Sequence, residues 1–256
     1  MSPRPDPAFL KAPITHRALH DVTDGRPENS REAVLAAVEA GYGIEIDLQL
    51  SKDGEAMVFH DYDLARLTGV SGPIRQRTAA ELSEIPLLGG TTGAPLLSEV
   101  LELVAGRVPL LIEIKDQDGA LGPNVGPLEK AAAEALDGYD GPVAVMSFNP
   151  HSVAAFGEYA PDIPRGLTTE SFPQDDWMLV PATRLEELRP IPDFERTGAS
   201  FISHEAADLD RPDVARIKAT GAPVFCWTIR STDEEAKARQ VADNVTFEGY
   251  LAAIPA

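Results

Sequence analysis

Two short runs of the sequence place charged side chains at alternate positions of predicted strands. Glu45 and Asp47 alternate with isoleucines in one run, and Glu113 and Lys115 do so in the other. Side chains two residues apart on a strand point the same way, so each charged pair shares a face. If the isoleucines pack against helices, the charges face the interior, where unpaired charges are costly. Three carboxylates there would suit one hard divalent cation, Mg²⁺ or Ca²⁺.

Two other interpretations fit these acids less well. Either strand alone would also suit a half-exposed sheet whose polar face meets solvent, but two such strands inside a barrel would meet little bulk water. A glycosidase-type carboxylate pair must flank the scissile bond from opposite sides. Neighbours on one face of one strand fit shared metal ligation better.

Histidines follow two of the predicted strands. His16-Arg17 closes the first strand and His60-Asp61 closes a hairpin. Imidazoles exchange protons near neutral pH, and an arginine beside them suits phosphate oxygens. The remaining histidines are interpreted as structural hydrogen-bonding groups, although one of them ends a strand on the presumed active face: His20, His151 and His204.

Short β-branched runs alternate with helical patterns along the chain. The predicted strands are Pro13–Arg17, Gly43–Leu50, Pro109–Lys115, Pro142–Phe148, Arg165–Thr168, Ser200–His204, Pro223–Ile229 and Asn244–Phe247. The predicted helices are Ser30–Ala40, Leu97–Ala105, Val125–Leu136, Pro150–Tyr159, Pro212–Thr220 and Thr232–Val241. Asn29 and Ser231 are predicted helix caps, and Pro150 and Pro212 suit first helical positions.

This alternation, in a chain of 256 residues, predicts a TIM (β/α)8 barrel forming one domain over residues 1–256. Active sites of such barrels lie at the C-terminal ends of the strands, where the charged runs fall. An Asp53-Gly54 turn predicts a small hairpin excursion after the second strand. The proline- and acid-rich stretch Glu170–Arg196 shows no clear helix.

Composition excludes several classes of protein. The chain has 22 basic and 41 acidic residues, a net charge of −19, which argues against non-specific binding to nucleic acid or anionic lipid. Cys226 is the only cysteine, so no intramolecular disulfide is expected. No apolar run predicts stable membrane insertion, and the N-terminus does not resemble a signal peptide. The expected location is the cytoplasm; no oligomeric state is predicted.

The motifs together resemble those of the glycerophosphodiester phosphodiesterases. The similarity is dense from His16 to Lys115 and looser to the last strand. It is carried by His16-Arg17, Pro27-Glu28-Asn29-Ser30, Gly43-Ile44-Glu45-Ile46-Asp47, Ser51-Lys52-Asp53-Gly54, Val58-Phe59-His60-Asp61, Leu64, Arg66, Thr68-Gly69, Ile112-Glu113-Ile114-Lys115, Ser147-Phe148-Asn149 and Cys226-Trp227-Thr228-Ile229.

The resemblance implies metal-dependent cleavage of glycerophosphodiesters into glycerol 3-phosphate and an alcohol. It implies that the metal ligands are Glu45, Asp47 and Glu113. It implies an acid–base pair, with His16 taken as base and His60 as acid. Phosphate would bind Arg17 and Lys115, with Glu28 orienting Arg17 or lying at the metal rim. Trp227 resembles the aromatic wall for glycerol, although it also suits the barrel core.

The sequence departs from the family pattern at the rim of the expected pocket. Ala18 replaces the usual glycine after His-Arg and is followed by a longer path to Pro27, Arg230 stands where asparagine is common, and the stretch Asn244–Tyr250 differs from the usual Thr-Asp-aromatic-Pro ending. These differences bear on substrate choice more than on the type of reaction. The nucleophile is either the glycerol 2-hydroxyl, through a cyclic phosphate, or water.

Three rival functions make different demands on the sequence. A lysophospholipid-directed phosphodiesterase or cyclising lyase would need an apolar track, and the candidate residues, otherwise a packed loop, are Phe172, Trp177, Met178, Leu179 and Val180. A non-catalytic barrel that binds phosphorylated ligands would not need both histidines and all three acids. A sugar-phosphate isomerase or aldolase would leave the two histidines unexplained.

Overall fold

The computed structural model describes residues 2–255, and its strands form a closed sheet. The strands are β1 Ile14–Thr15, β2 Gly43–Leu50, β3 Ala56–Val58, β4 Leu110–Ile114, β5 Val143–Ser147, β6 Arg165–Thr169, β7 Phe201–Glu205, β8 Val224–Ile229 and β9 Asn244–Phe247. All neighbouring strands except β3 are parallel, and β1 pairs with both β2 and β9. Eight parallel strands therefore close into a TIM barrel, as the alternation of elements predicts.

Helices surround the barrel. They are α1 Arg31–Ala40, α2 Ala65–Thr68, α3 Ala79–Glu84, α4 Leu97–Val104, α5 Pro127–Leu136, α6 Pro150–Tyr159, α7 Ala182–Leu188, α8 Pro212–Ala219 and α9 Thr232–Ala238. Within residues 2–255, none is long and apolar enough to cross a bilayer.

The alternation of side chains along each strand divides the core into two parts. Outward-facing residues such as Ile44, Ile46 and Ile112 pack with helices α1 and α4. Inward-facing residues fill the lower barrel, where Ile14, Leu111 and five further apolar side chains form a separate cluster. This apolar plug leaves the polar inward positions above it, at the C-terminal ends of the strands.

The excursion after β2 is larger than the predicted hairpin. Strand β3 does pair antiparallel with β2 around the Asp53-Gly54 turn, as predicted. The chain then forms α2 and α3 before it reaches α4, and these elements have a small apolar core of their own that includes Leu64, Leu67 and Leu82.

One helix-cap prediction was wrong and another was confirmed, and a stretch to which the sequence assigned no clear helix contains one. Ser30, not Asn29, caps α1 by accepting a hydrogen bond from the Ala33 amide; the Asn29 side chain is engaged by Asp47. The stretch Glu170–Arg196 does contain a helix, α7, whose apolar contacts outweigh its poor local pattern. Ser231 caps α9 as predicted.

Candidate active site

The three predicted metal ligands lie together. Glu45 and Asp47 extend from β2, and Glu113 lies directly opposite Asp47 on β4. One oxygen of each carboxylate lies within 4.8 Å of the others, and the residues are only 2 %, 1 % and 6 % exposed. The strand pattern therefore predicted this cluster correctly.

Two cations lie against the cluster. Lys115 Nζ is 2.7 Å from Asp47 Oδ1 and 2.5 Å from Glu113 Oε1. The Arg17 guanidinium lies 3.7 Å from Asp47 Oδ2, and its backbone N–H donates to Glu45 Oε2 at 2.9 Å. Arg17 also donates to Glu28 Oε1 at 2.8 Å, so Glu28 orients this arginine.

The carboxylates differ in their electrostatic balance. Burial acts to raise the pKa of Asp47, but neighbouring positive charges, led by Lys115, outweigh it and hold that pKa below its usual value. Burial, together with the charges of Asp47 and Glu113, instead raises the pKa of Glu45 well above its usual value. Glu45 is thus less well compensated by the local cations than Asp47.

This donor set fits a hard divalent cation. All three ligands offer carboxylate oxygens, which Mg²⁺ and Ca²⁺ prefer. The raised pKa of Glu45 indicates that Lys115 and Arg17 do not fully offset the buried negative charge. Added positive charge beside Glu45 would relieve this imbalance.

His16 is held by a residue that sequence reasoning missed. His16 Nδ1 lies 2.6 Å from Glu248 Oε2, and Glu248 also forms an ion pair with Arg230 at 2.7 Å. His20, interpreted from the sequence as structural, lies 3.6 Å from the same carboxylate. Burial lowers the pKa of His16, which favours its neutral form. The signal was present in the altered ending after the last strand, where Glu248 falls.

His60 has a carboxylate partner of its own. Its Nδ1 lies 2.7 Å from Asp61 Oδ1. Arg66 links Asp61 to Glu28, since it donates to both carboxylates at 2.6–2.9 Å. The excursion after β2 is therefore tied to the Arg17–Glu28 pair by ionic hydrogen bonds.

The turn after His16 has an unusual backbone. Arg17 and Ala18 both have left-handed φ angles, 53° and 65°, a conformation that costs a non-glycine residue roughly 1–2 kcal/mol. The same turn aims the Arg17 amide at Glu45. Ala18, where the family usually has glycine, therefore keeps the bend that glycine would give.

A cavity of ≈ 210 Å³ joins these groups. The predicted site residues that line it are His16, Arg17, Glu45, His60, Glu113, Lys115 and Trp227. Much of the rest of the wall is formed by Phe148, Met146, Thr168 and Thr246, whose roles are not evident from the sequence. Asp47 does not line the cavity, but it forms an ion pair with Lys115, which does.

Trp227 fits both of its predicted roles in part. It lines the cavity, its ring packs edge-on against Phe148 with centroids 5.5 Å apart, and its Nε1 donates to Ser203 O at 3.0 Å. His204, the histidine that ends a predicted strand on the presumed active face, is fully buried. Its Nδ1 lies 2.8 Å from Thr169 Oγ1. The burial and hydrogen bond of His204 are those expected of a structural residue.

The candidate apolar track beyond β6 divides into two. Phe172 and Val180 are buried and pack with Leu121 and α7. Met178 and Leu179 are 82 % and 85 % exposed. Trp177 packs against the buried part and the cavity wall, since its ring centroid lies 5.7 Å from that of Phe172 and 5.2 Å from that of Phe148.

The fold and the site together define a barrel enzyme with a charged centre at the C-terminal ends of its strands. The sequence model of the glycerophosphoryl diester phosphodiesterase family matches residues 16–244. The chain belongs to this family of phosphoric diester hydrolases, as the motifs predicted.

Relatives and solved structures agree with this assignment. A glycerophosphodiester phosphodiesterase of Caldanaerobacter subterraneus is 28 % identical over 230 residues, covering 86 % of this chain and 87 % of the relative. A phosphodiesterase of Oleispira antarctica, solved with the product sn-glycerol-3-phosphate, is 26 % identical with a TM-score of 0.75 over 94 % of each chain. A glycerophosphodiester phosphodiesterase of Parabacteroides distasonis, 23 % identical with a TM-score of 0.70 over 93 % of this chain and 92 % of its own, shares the fold.

Proposed function

We propose that this protein hydrolyses glycerophosphodiesters to sn-glycerol 3-phosphate and an alcohol by metal-dependent acid–base catalysis. The observation that carries the proposal is a single cavity lined by two histidines, three cationic side chains (Arg17, Lys115 and Arg230) and two of three clustered carboxylates. Family membership and the relative solved with glycerol 3-phosphate support the substrate class.

Glu45, Asp47 and Glu113 would hold one divalent cation, Mg²⁺ or Ca²⁺. When bound, such an ion supplies Lewis acidity that offsets negative charge on a phosphoryl group. Arg17 and Lys115 line the same cavity and add fixed positive charge beside one carboxylate, that of Asp47. Because a phosphodiester gains negative charge on its oxygens during displacement, these two side chains favour the transition state over the bound substrate.

The hydrogen bonds of the histidines support their roles. Glu248 accepts from His16 Nδ1, which leaves Nε2 to take a proton from the nucleophile, the glycerol 2-hydroxyl or water. The lowered pKa of His16 suits a base that must be neutral near pH 7. His60, oriented through Nδ1 by Asp61, would return a proton to the departing alkoxide. Each role is typically worth about 10²–10⁴-fold in rate.

The test is release of glycerol 3-phosphate from glycerophosphocholine with Mg²⁺, Ca²⁺ or Mn²⁺. We expect His16→Ala and His60→Ala to lose turnover while keeping the wild-type circular dichroism spectrum, and chelation to silence the wild type. His151→Ala, on α6, is the matched control and should retain activity. Full activity of either active-site variant would contradict the acid–base assignment.

A second candidate activity, on lysophospholipids, is favoured by the exposure of Met178 and Leu179. These residues follow Trp177, whose ring packs against Phe148 at the cavity wall. An acyl chain would need such an apolar contact outside the cavity. Met178→Ser/Leu179→Ser should lower activity on lysophosphatidylcholine and leave that on glycerophosphocholine unchanged. Equal activity of wild type and variant on the lipid would remove this candidate.

A further inference from the structure

Three buried hydroxyl groups inside the barrel are without a hydrogen-bond partner among residues 2–255. They belong to Thr168 on β6, Ser203 on β7 and Thr246 on β9, which are at most 2 % exposed. Their strand neighbours, such as Leu167 and Val245, pack in the outer core. The alternation along each strand therefore turns the three hydroxyls toward the barrel axis.

Such groups are uncommon, because burial of a hydroxyl without a partner costs stability. Most buried polar atoms in proteins bond to protein, to ordered water or to a ligand. Two of the three, Thr168 and Thr246, line the catalytic cavity, whereas Ser203 does not. The two threonines are thus placed to bond whatever occupies the cavity.

The cavity has two chemically different sides. Strand β2 contributes Glu45, and β4 with its C-terminal end contributes Glu113 and Lys115, whereas β6 and β9 contribute only the uncharged residues Thr168 and Thr246. Arg230, which follows β8, also lines the cavity, but its guanidinium is paired with Glu248 at 2.7 Å. Strand order places β6 to β9 on the arc of the barrel that faces β2 and β4. A phosphate group is attracted to the cationic groups, so the hydroxyl side is left for a neutral part of the substrate.

A hydroxyl both donates and accepts hydrogen bonds, which matches another alcohol. A quaternary ammonium group and an acyl chain can do neither. We propose that Thr168 and Thr246 bind the hydroxyl groups of the glycerol moiety and so select the glycerol end of the substrate. This inference rests on the proposed function and names the residues that would recognise its substrate class.

Calorimetric titration with sn-glycerol 3-phosphate and with inorganic phosphate tests the assignment, in the divalent cation that supports turnover. Valine keeps the shape of threonine and removes the hydroxyl. Thr168→Val and Thr246→Val should each weaken binding of glycerol 3-phosphate by roughly 2- to 12-fold, as expected for one neutral hydrogen bond. Binding of inorganic phosphate should stay unchanged.

Matched variants separate recognition from folding. Thr168→Ser and Thr246→Ser keep the hydroxyl and should bind glycerol 3-phosphate like the wild type. Ser203→Ala removes an equally buried hydroxyl outside the cavity wall and should have no effect on binding. Melting temperatures of all variants, measured in parallel, identify any that fail to fold.

The outcomes distinguish a failure of this inference from a failure of the proposed function on which it rests. Valine variants that bind glycerol 3-phosphate like the wild type would overturn the inference, as would an equal loss of inorganic phosphate binding. If the wild type still hydrolyses glycerophosphocholine, the proposed function survives either result. A wild type that hydrolyses no glycerophosphodiester contradicts the proposed function, and the inference falls with it.

Discussion

His16 Nδ1 and Glu248 Oε2 lie 2.6 Å apart, joining the first strand of the barrel to the end of its last. The two residues are 232 positions apart in the sequence. The hydrogen bond from His16 lowers the pKa of Glu248, which favours the ionised carboxylate. Closure of the barrel therefore brings a carboxylate behind the imidazole that we propose as the base.

We predict that Glu248→Gln lowers kcat. The amide of glutamine no longer enforces the Nδ1–H tautomer of His16. The loss of kcat should be at most about 10²–10⁴-fold, which is the typical rate contribution of one acid–base residue. Glu248 also acts to raise the pKa of His16. Its removal should therefore move the acidic limb of the kcat/KM–pH profile to lower pH.

Glu235→Gln is the matched control, because Glu235 accepts from Tyr250 on the outside of the barrel. This variant should keep both the wild-type kcat and the wild-type profile. A Glu248→Gln enzyme whose acidic limb stays in place would show that Glu248 does not influence the base.

The strands of the site could be predicted because their signals are local. Ile44-Glu45-Ile46-Asp47 alternates within one strand, and the predicted bounds Gly43–Leu50 match β2. Eight such strands imply closure, so the meeting of Glu113 with Asp47 followed from the fold.

Contacts between distant loops could not be predicted in the same way. Glu248 contacts His16 only because β9 closes on β1, and no periodicity encodes that partner. The prediction of Asn29 as a helix cap was wrong because its side chain donates a hydrogen bond to Asp47, 18 positions away, and local sequence patterns do not indicate such a partner. Thr168 and Thr246 read as ordinary strand residues until the cavity beside them is known.

We predict that Lys115→Met destabilises the protein in the absence of divalent metal. Lys115 lies between Asp47 and Glu113, and removing one partner of a buried ion pair costs about 3 kcal/mol. For a chain of this size the loss corresponds to a fall in Tm of about 6–12 °C. Added Mg²⁺ or Ca²⁺ should recover more Tm in this variant than in the wild type.

Lys130→Met serves as the control, since Lys130 pairs with Glu134 on the exposed face of α5 at 3.6 Å. Surface pairs contribute little, so its Tm should hardly change. Equal Tm values for the two methionine variants would mean that Lys115 does not compensate the carboxylates.

Metal affinity, measured between about pH 8 and about pH 5, should fall as pH is lowered, and the fall should begin at a higher pH than for carboxylates with ordinary pKa values near 4. The raised pKa of Glu45 means that protons compete for its oxygens at a higher pH than for an ordinary carboxylate. Calorimetry in two buffers of different ionisation enthalpy would measure the proton released on binding. A metal affinity that does not change across this pH range would contradict the assignment of Glu45 as a ligand.

Glu45→Gln should stabilise the metal-free protein near neutral pH while weakening metal binding. Because the folded-state pKa of Glu45 is raised, its ionisation opposes folding as pH rises above the unfolded-state value. The amide removes that charge and keeps an acceptor for the Arg17 amide. Each kcal/mol gained would raise Tm by about 2–4 °C.

Asp47→Asn is the opposing control. The folded-state pKa of Asp47 is lowered, so its charge stabilises the fold above the unfolded-state value, and its loss should reduce Tm at neutral pH. Melting curves of both variants in chelator are compared near pH 7 and near pH 4. The difference between the Tm values of the two variants should shrink at the lower pH, because Glu45 becomes neutral in the wild type. A Glu45→Gln protein that melts below the wild type in chelator would contradict the view that this carboxylate is held at a cost to stability for the sake of the metal.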